Sequence, residues 1–348
     1  MKDSKEVTIY DIAKELQVSP ATVSRSLNNN PSVSKKTRKK IIDTAKAMGY
    51  RSNLFASNLR RQRTHTLGVI VPKLNSNFVS SVVAGIEKVA NQHGYNLIIS
   101  QSQESEKKEM SSATTMFNSR VDGLIVSLAS DTKALTHFNS FFKRDIPVMF
   151  FDRVSYESSS TNVVIDNFKA GYQATSHLIE QGCRRIAHIT GNLSRNVYSD
   201  RLRGYKVALS ENNLPFRSKQ LIINQLDEAG SVMAAEQLLA LKPMPDGIFI
   251  ANDNCAAICM QSLKEAGFRI PEDIAIVGFN NDLIGRIIEP KLTTIDYPGQ
   301  EMGEIVAHNM VNRLEGTASA TMTNTIIIRS DLIIRQSSLK SGSSKKKL

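Results

Sequence analysis

Few side chains in this 348-residue sequence stand at spacings that could carry covalent chemistry. Cys255 and Cys259, in DNCAAICMQSL, lie one helical turn apart, as two metal ligands would, but no His or further Cys stands near them. Two buried, small, apolar side chains are the simpler reading of that pair. With Cys183 they make three thiols, too few for a disulfide framework and suited to a reducing compartment. Phosphate-cradling glycine loops, the HExxH zinc motif and the GxSxG nucleophile elbow are absent, and no nucleophile and base stand at a recognisable spacing. Neither an enzyme nor a metal or cofactor site is expected.

What is concentrated is charge. Residues 1–66 hold 14 Lys and Arg against 5 Asp and Glu, whereas the rest of the chain holds 30 against 28. Positive charge packed onto a short segment suits a polyanion, because each Lys or Arg beside a phosphate releases a condensed counterion. A solvated basic arm is the alternative. The opening MKDSKEVTIYD lacks the apolar stretch of a secretory signal, and no run approaches the length of a membrane span, so the cytoplasm is the expected compartment.

The elements that must carry this charge are short helices. TIYDIAKEL begins at Thr8 with Asp11 three residues on, a capping-box start. SPATVSRSL places Ser19 as N-cap and Pro20 in the first turn, where its missing N–H costs nothing. SKKTRKKIIDTAKAMGY predicts a third helix burying Ile41, Ile42, Ala45 and Met48 and ending at Gly49. Residues 51–66 read as a linker with a short helix. From Leu67, β-branched runs alternate with amphipathic helices in two series, the first ending at PVMFFD and the second beginning at TNVVID. Strict alternation implies two parallel sheets covered by helices on both faces, with a ligand cleft at the C-terminal ends of the strands. The polar, basic tail after Arg335 predicts no ordered structure.

TIYDIAKELQVSPATVSRSLNNNPSVSKKTRKKIIDTAKAMGYRSN, with DGLIV, FFDR, VVIDN, HLIEQGCRRIAHITG, RLRGY, DGIFIANDNCA, IPEDIAIVGFNND and EPKLTTID, closely resembles the LacI/GalR family of bacterial transcriptional regulators. The resemblance runs from about residue 7 to 335. It implies an all-α three-helix helix-turn-helix head over 1–51, a hinge over 52–66, a two-lobed α/β core like periplasmic binding proteins over 67–335, and a basic tail over 336–348. It further implies a homodimer that represses genes of carbohydrate use from a palindromic duplex operator under the control of a small sugar-type effector. Both inducer and corepressor responses are compatible with it.

In such a head the second helix, Ser19 to Leu27, lies in the major groove. At 100° per residue Pro20, Ala21, Ser24, Arg25 and Asn28 share its outer face, while Val23 and Leu27 turn inward with Ile12 and Val18. The resemblance makes Pro20, Ala21 and Arg25 the base-contacting positions. Arg25 can present two donors to guanine, whereas Pro20 and Ala21 offer apolar contact only; an exposed Arg neutralising a phosphate is the plainer alternative. Thr8, Tyr10, Ser19, Thr22, Ser24, Asn28, Ser34 and Thr37 match phosphate-contacting positions, although capping alone would suit Thr8 and Ser19. Gln17 departs from the Gly often found at the turn, where a left-handed backbone would cost a non-Gly residue about 1–2 kcal/mol. In the hinge, Leu59 matches a wedge that enters the minor groove and Ala56 a small residue that lets paired hinges approach.

In the core the resemblance implies effector contacts from Asn75, Phe78, Asp152, Arg153, Arg195, Arg201, Asn252, Asp253 and Asn280. Asn280 stands where an acid is often found. Losing a carboxylate while keeping three guanidiniums favours an anionic sugar, unless some of these Arg brace the lobes instead. Helices near 78–92 and 254–266 are the expected dimer contacts, and no apolar heptads follow Arg335 to build a tetramer. A transporter's solute-binding protein would share the core but not the basic head. Co-regulation by a phosphocarrier protein stays open.

Overall fold

The computed structural model describes residues 7–50, 63–156, 158–317 and 324–340. Contacts divide the chain into two compact units that meet in sequence at Thr64 and His65.

The first unit is three helices, α1 (Ile9–Glu15), α2 (Pro20–Leu27) and α3 (Lys35–Ala47). Each starts on a hydroxyl that accepts from the first turn: Thr8 from Asp11, Ser19 from Thr22, Ser34 from Thr37. Asp11 returns a bond from the Thr8 amide, so the expected capping box is complete. Ile12, Ala13, Val23, Ile41 and Ala45 form the core, with Leu27, Val18 and Met48 packed against it. Ile42, expected in that stripe, is exposed instead. It lies 100° around α3 from Ile41, outside the arc that Ile41, Ala45 and Met48 share. Gln17 adopts φ +54°, so the turn between α1 and α2 keeps the left-handed geometry without a Gly.

The second unit holds two six-stranded sheets. The first lobe runs β1 (Thr66–Val71), α4 (Asn77–Gln92), β2 (Asn96–Gln101), α5 (Glu106–Asn118), β3 (Gly123–Val126), α6 (Asn139–Phe142), β4 (Val148–Phe151) and β5 (Asn162–Ile165). The second runs α7 (Asn167–Glu180), β6 (Ile186–Thr190), α8 (Asn196–Glu211), β7 (Leu221–Ile223), α9 (Glu228–Ala240), β8 (Gly247–Ile250), α10 (Asp253–Glu265), β9 (Ala275–Asn280), α11 (Ile284–Ile287) and β10 (Thr293–Asp296). The chain then returns to the first lobe through α12 (Gly299–Glu315) and β11 (Thr325–Ile328) and ends in the second with β12 (Leu332–Ile333). The sheet orders are β2-β1-β3-β4-β5-β11 and β7-β6-β8-β9-β10-β12. They are the same order twice, parallel throughout except where β12 joins β10. Each order reverses between its first strand and its third, which is where ligands settle in doubly wound folds.

Two expectations change here. TNVVID, assigned to the second series, is β5 and pairs with β4 in the first sheet. Alternation alone could not show this, since a strand crosses lobes without altering its own pattern. The tail after Arg335 does not begin unordered: Ser337 and Ser338 are buried, Ser337 donating to the Ile276 carbonyl and Ser338 bonded to His177 and Thr293. Hydroxyls that satisfy buried partners read as polar linker in a sequence.

Helices lock each lobe through glycines. A Cβ on Gly303 would stand 2.0 Å from the Val82 carbonyl where α12 crosses α4, and one on Gly204 2.1 Å from the Phe168 carbonyl where α8 crosses α7. Cys183, Cys255 and Cys259 are all buried, the last two as small apolar residues of α10. Among the described residues no helix is long and apolar enough to cross a membrane, and no cluster of side chains could hold a metal ion.

Candidate effector cleft and nucleic-acid interface

A cleft of about 420 Å³ opens between the lobes, and its lining follows the C-terminal ends of eight strands. Asn75 and Phe78 come from after β1, Asp152 and Arg153 from after β4, Arg201 from α8 after β6, Asn252 from after β8, and Asn280 closes β9. These seven of the nine expected residues meet there.

Arg201 is the most constrained. It is almost fully buried, its Nε donates to Asn167 Oδ1 (2.8 Å) and its Nη1 to the Ala251 carbonyl (3.3 Å). Its guanidinium lies 3.4 Å over the Phe279 ring and 5.5–5.6 Å from the rings of Tyr297 and Tyr198. Burial, against the pull of those phenols and Asp152, lowers its pKa, and no carboxylate among the described residues bonds to it directly. Phe78 stacks on Tyr297 at 4.1 Å, giving the cleft an apolar wall. The Tyr297 hydroxyl donates to Asp152 Oδ1 (2.5 Å) and Ser127 to Oδ2 (3.4 Å). Burial raises the Asp152 carboxyl, with Arg153, Tyr297, Arg201 and Ser127 opposing.

Arg153 is already paired, its Nη1 2.6 Å from Glu104 Oε2 and its Nη2 donating to the Tyr198 hydroxyl at 3.2 Å. Burial works against its charge, but Tyr198, Glu104 and Asp152 outweigh it and hold the cation above its ordinary range. Asn280, at φ +117°, turns its amide onto Asp282 (3.3 Å).

Two expected residues lie elsewhere. Asp253 is fully buried beneath β9 and β10, accepting from Thr294 Oγ1 (2.7 Å) and the Asp282 amide (2.8 Å); burial pushes its carboxyl up to about 7. Asn252, beside it, caps α10 through the Cys255 amide and keeps its place in the cleft. Arg195 braces the lobes, as the alternative reading of these Arg had it, though with a backbone hydrogen bond to Thr132 (2.5 Å) in place of a salt bridge. Around it Asn192 and Ser194 donate to the Ser130 carbonyl and Asn196 to that of Asp152, so this loop clasps one lobe to the other.

Lys73, Glu104, Tyr198, Gln225, Asp227 and Tyr297 also line the cleft and were not expected there. Their signal was position: each sits within a few residues of a strand's end or in the first turn of the helix after it. Tyr297 was hidden because β10 belonged to neither of the two series.

In the helical unit, Ala21, Arg25 and Asn28 are exposed along α2, and Pro20 and Ser24 are half-buried beside them. The Arg25 Nε donates to the Ala21 carbonyl (3.2 Å), which aligns the side chain along the helix and leaves both Nη groups without a partner among the described residues. Asn28 bonds back to the Ser24 carbonyl and Tyr10 is largely exposed. Thr22 and Thr37 share hydrogen bonds with their capping serines. Arg38 was not foreseen in any role; it donates to the Asn30 and Val33 carbonyls and ties down the α2–α3 loop. Ala56 and Leu59 lie outside the described residues.

A basic helix-turn-helix unit joined to a two-lobed binding body defines a ligand-controlled DNA-binding regulator. Residues 8–53 match the family described as "Bacterial regulatory proteins, lacI family", and residues 64–336 match "Periplasmic binding proteins and sugar binding domain of LacI family". The chain belongs to the LacI family; it is a transcriptional regulator and not an enzyme. It is 33% identical to the catabolite control protein A of Priestia megaterium over 300 residues, covering 86% of this chain and 90% of that protein. It is 30% identical to the ribose operon repressor of Haemophilus influenzae over 336 residues, 95% and 98% of the two chains. Among solved structures it resembles a complex of the transcriptional regulator CelR with cellobiose (TM-score 0.73, 26% identity, 95% and 100% coverage). It likewise resembles the Lac repressor bound to ONPG in the repressed state (0.83, 25%, 96% and 100%).

Proposed function

We propose that this protein is a homodimeric repressor of carbohydrate-related genes that binds a palindromic operator in the cytoplasm and is released or recruited by a sugar-type ligand held between its lobes. The observation that carries the reading is the cleft itself. An aromatic wall of Phe78 and Tyr297 faces Arg201, Asp152, Asn252 and Asn280, which is what a pyranose or furanose ring with its hydroxyls needs. The ligand closes the lobes and so biases the dimer between DNA-competent and DNA-incompetent forms.

The expected anionic character of the ligand draws support only from Arg201 and Lys73. Arg153 is neutralised by Glu104, Arg195 is outside the cleft, and Asp152, Asp227 and Glu228 add further acids to the lining. A neutral polyhydroxylated ligand fits this balance better. On the DNA side, Arg25 reads a guanine, Pro20 and Ala21 touch thymine methyls, and Thr8, Tyr10, Ser19, Thr22, Ser24, Asn28, Ser34 and Thr37 hold phosphates. Leu59 serves as the minor-groove wedge, and the small Ala56 permits the paired hinges to approach. Dimerisation through the helix over 254–266 is supported by an apolar groove lined by Ala257, Ile258, Met260, Ile284 and Ile288, next to the exposed Leu283 and Ile287.

Calorimetric titration of a panel of neutral sugars, sugar acids and sugar phosphates tests the cleft. A neutral sugar should bind wild type, and Arg201→Lys, which keeps the charge but loses the planar fork, should bind it about tenfold more weakly or worse. Binding by sugar acids alone would reverse the charge argument, and equal binding by the variant would move the ligand away from Arg201.

A further inference from the structure

A second cavity, of about 890 Å³, also lies between the lobes and shares no lining residue with the effector cleft. Thr132, Lys133 and Ser155 line it from the first lobe, and Arg195, Ser199 and Arg203 from the second. Arg195 is the unusual member. The residue as a whole is buried, at 9% exposure, yet no carboxylate lies within ion-pair distance of it among the described residues. Its Nη2 is used on the Thr132 carbonyl, and its Nε is buried with no hydrogen-bond partner among the described residues. Burial and then the neighbouring Arg153 cation destabilise its charge, with Glu109, Asp131 and Glu104 opposing from beyond ion-pair range. A buried guanidinium without its acid is half of an ion pair.

The rest of the lining has the same bias. Lys133 is exposed to the cavity's solvent, and Arg203 is shared with Asp200 at 3.3 Å. Asp200 is the one carboxylate among the described lining residues, against three cations, and hydroxyls supply most of the remaining polar surface. This excess of positive charge matches the near-dianion of a phosphate ester at neutral pH.

We propose that this cavity is a second ligand site, which takes a small molecule bearing a phosphate group and pairs that group with Arg195 and Lys133. The volume beyond the phosphate accommodates the rest of such a molecule. Because Lys133 and Arg195 stand on opposite lobes, the bound anion ties the lobes together at the loop that already clasps them. It must therefore alter affinity in the effector cleft, and the effector must alter phosphate affinity by the same factor.

The test uses the full-length protein and inorganic phosphate as the probe, observed by phosphorus-31 line broadening at constant ionic strength in chloride. The basic helical unit contributes the same unsaturable background in every variant. Wild type shows a saturable component that Arg195→Gln weakens about tenfold or more, and that Arg195→Lys partly restores. Lys133→Gln, on an exposed side chain whose loss cannot unfold the core, weakens it severalfold. Saturable broadening that persists unchanged in both Gln variants overturns the proposal. So does loss in Arg201→Gln with retention in Arg195→Gln, which would place the anion in the effector cleft, and so does the absence of any saturable component in wild type.

Discussion

Replacing Gly171 with Ala adds one methyl group where α7 crosses α8. Its Cβ would stand 2.3 Å from the Arg201 carbonyl oxygen and 2.8 Å from the Arg201 Cα, against the 3.4 Å at which ordinary contact begins. The helices must part by about 1 Å to admit it. They cannot slide instead, because Gly204 on the facing helix is pressed against the Phe168 carbonyl. Overpacking costs about 1–3 kcal/mol, and a backbone-on-backbone contact belongs in the upper part of that range. The better helix propensity of Ala returns about 1 kcal/mol. The net is a loss of about 1–2 kcal/mol, or roughly 2–8 °C in the melting temperature of the core. Arg201 moves with its backbone, loosening its 3.3 Å bond to Ala251 and its 3.4 Å stacking on Phe279, so effector affinity should fall along with stability. Differential scanning calorimetry of the full chain, followed by effector titration, measures both. A core transition at or above the wild-type temperature would refute the packing argument, and a lower one with unchanged effector affinity would refute the coupling to Arg201.

Gln17→Gly should raise the melting temperature of the helical unit, since the present φ of +54° costs a non-Gly residue about 1 kcal/mol; a lower temperature would show that the Gln side chain is needed. Burial holds the Asp253 proton to about pH 7, so between about pH 4 and 7 the folded core keeps a proton that the unfolded chain has released. Stability should fall with rising pH across that window, by about 1.4 kcal/mol per unit, and level off above it; the raised Asp152 and Asp282 act in the same direction. In Asp253→Asn, where the Thr294 hydroxyl can reverse to accept, urea unfolding at pH 5 and pH 8 should show a shallower slope, and an unaltered slope would remove Asp253 as its source. Arg25→Ala should relax base preference at one position of each half-site, by about 1–3 kcal/mol, whereas a uniform loss across sequences would make Arg25 a phosphate contact.

The helical unit was nearly all legible from its residues, because its caps and apolar stripe are local; Ile42 was misjudged by a rotation of 100° along α3. The strands of the core were equally plain as β-branched runs, but which lobe each joins was not, since β5, α12, β11 and β12 reach their partners by crossing over. The cleft was readable wherever a polar residue stands within a few residues of a strand's C-terminal end, as with Asn75, Asp152 and Asn252. Asp253 illustrates the limit. One residue beyond Asn252, it turns inward to satisfy Thr294 and the Asp282 amide, a partnership formed across 41 and 29 residues of sequence that no local pattern announces. Arg195 illustrates it again, since a guanidinium next to a binding loop looks the same in sequence whether it meets the ligand or the opposite lobe.

Selection of bound duplexes from a random pool, run with the full-length protein in the presence and absence of the sugars that bind the cleft, addresses the central claim of ligand-controlled, sequence-specific DNA recognition. The result predicted is a twofold-symmetric motif with a guanine opposite Arg25 in each half, whose enrichment rises or falls when the sugar is added. A sequence-blind or asymmetric pool, or a motif indifferent to every sugar that fills the cleft, would contradict it.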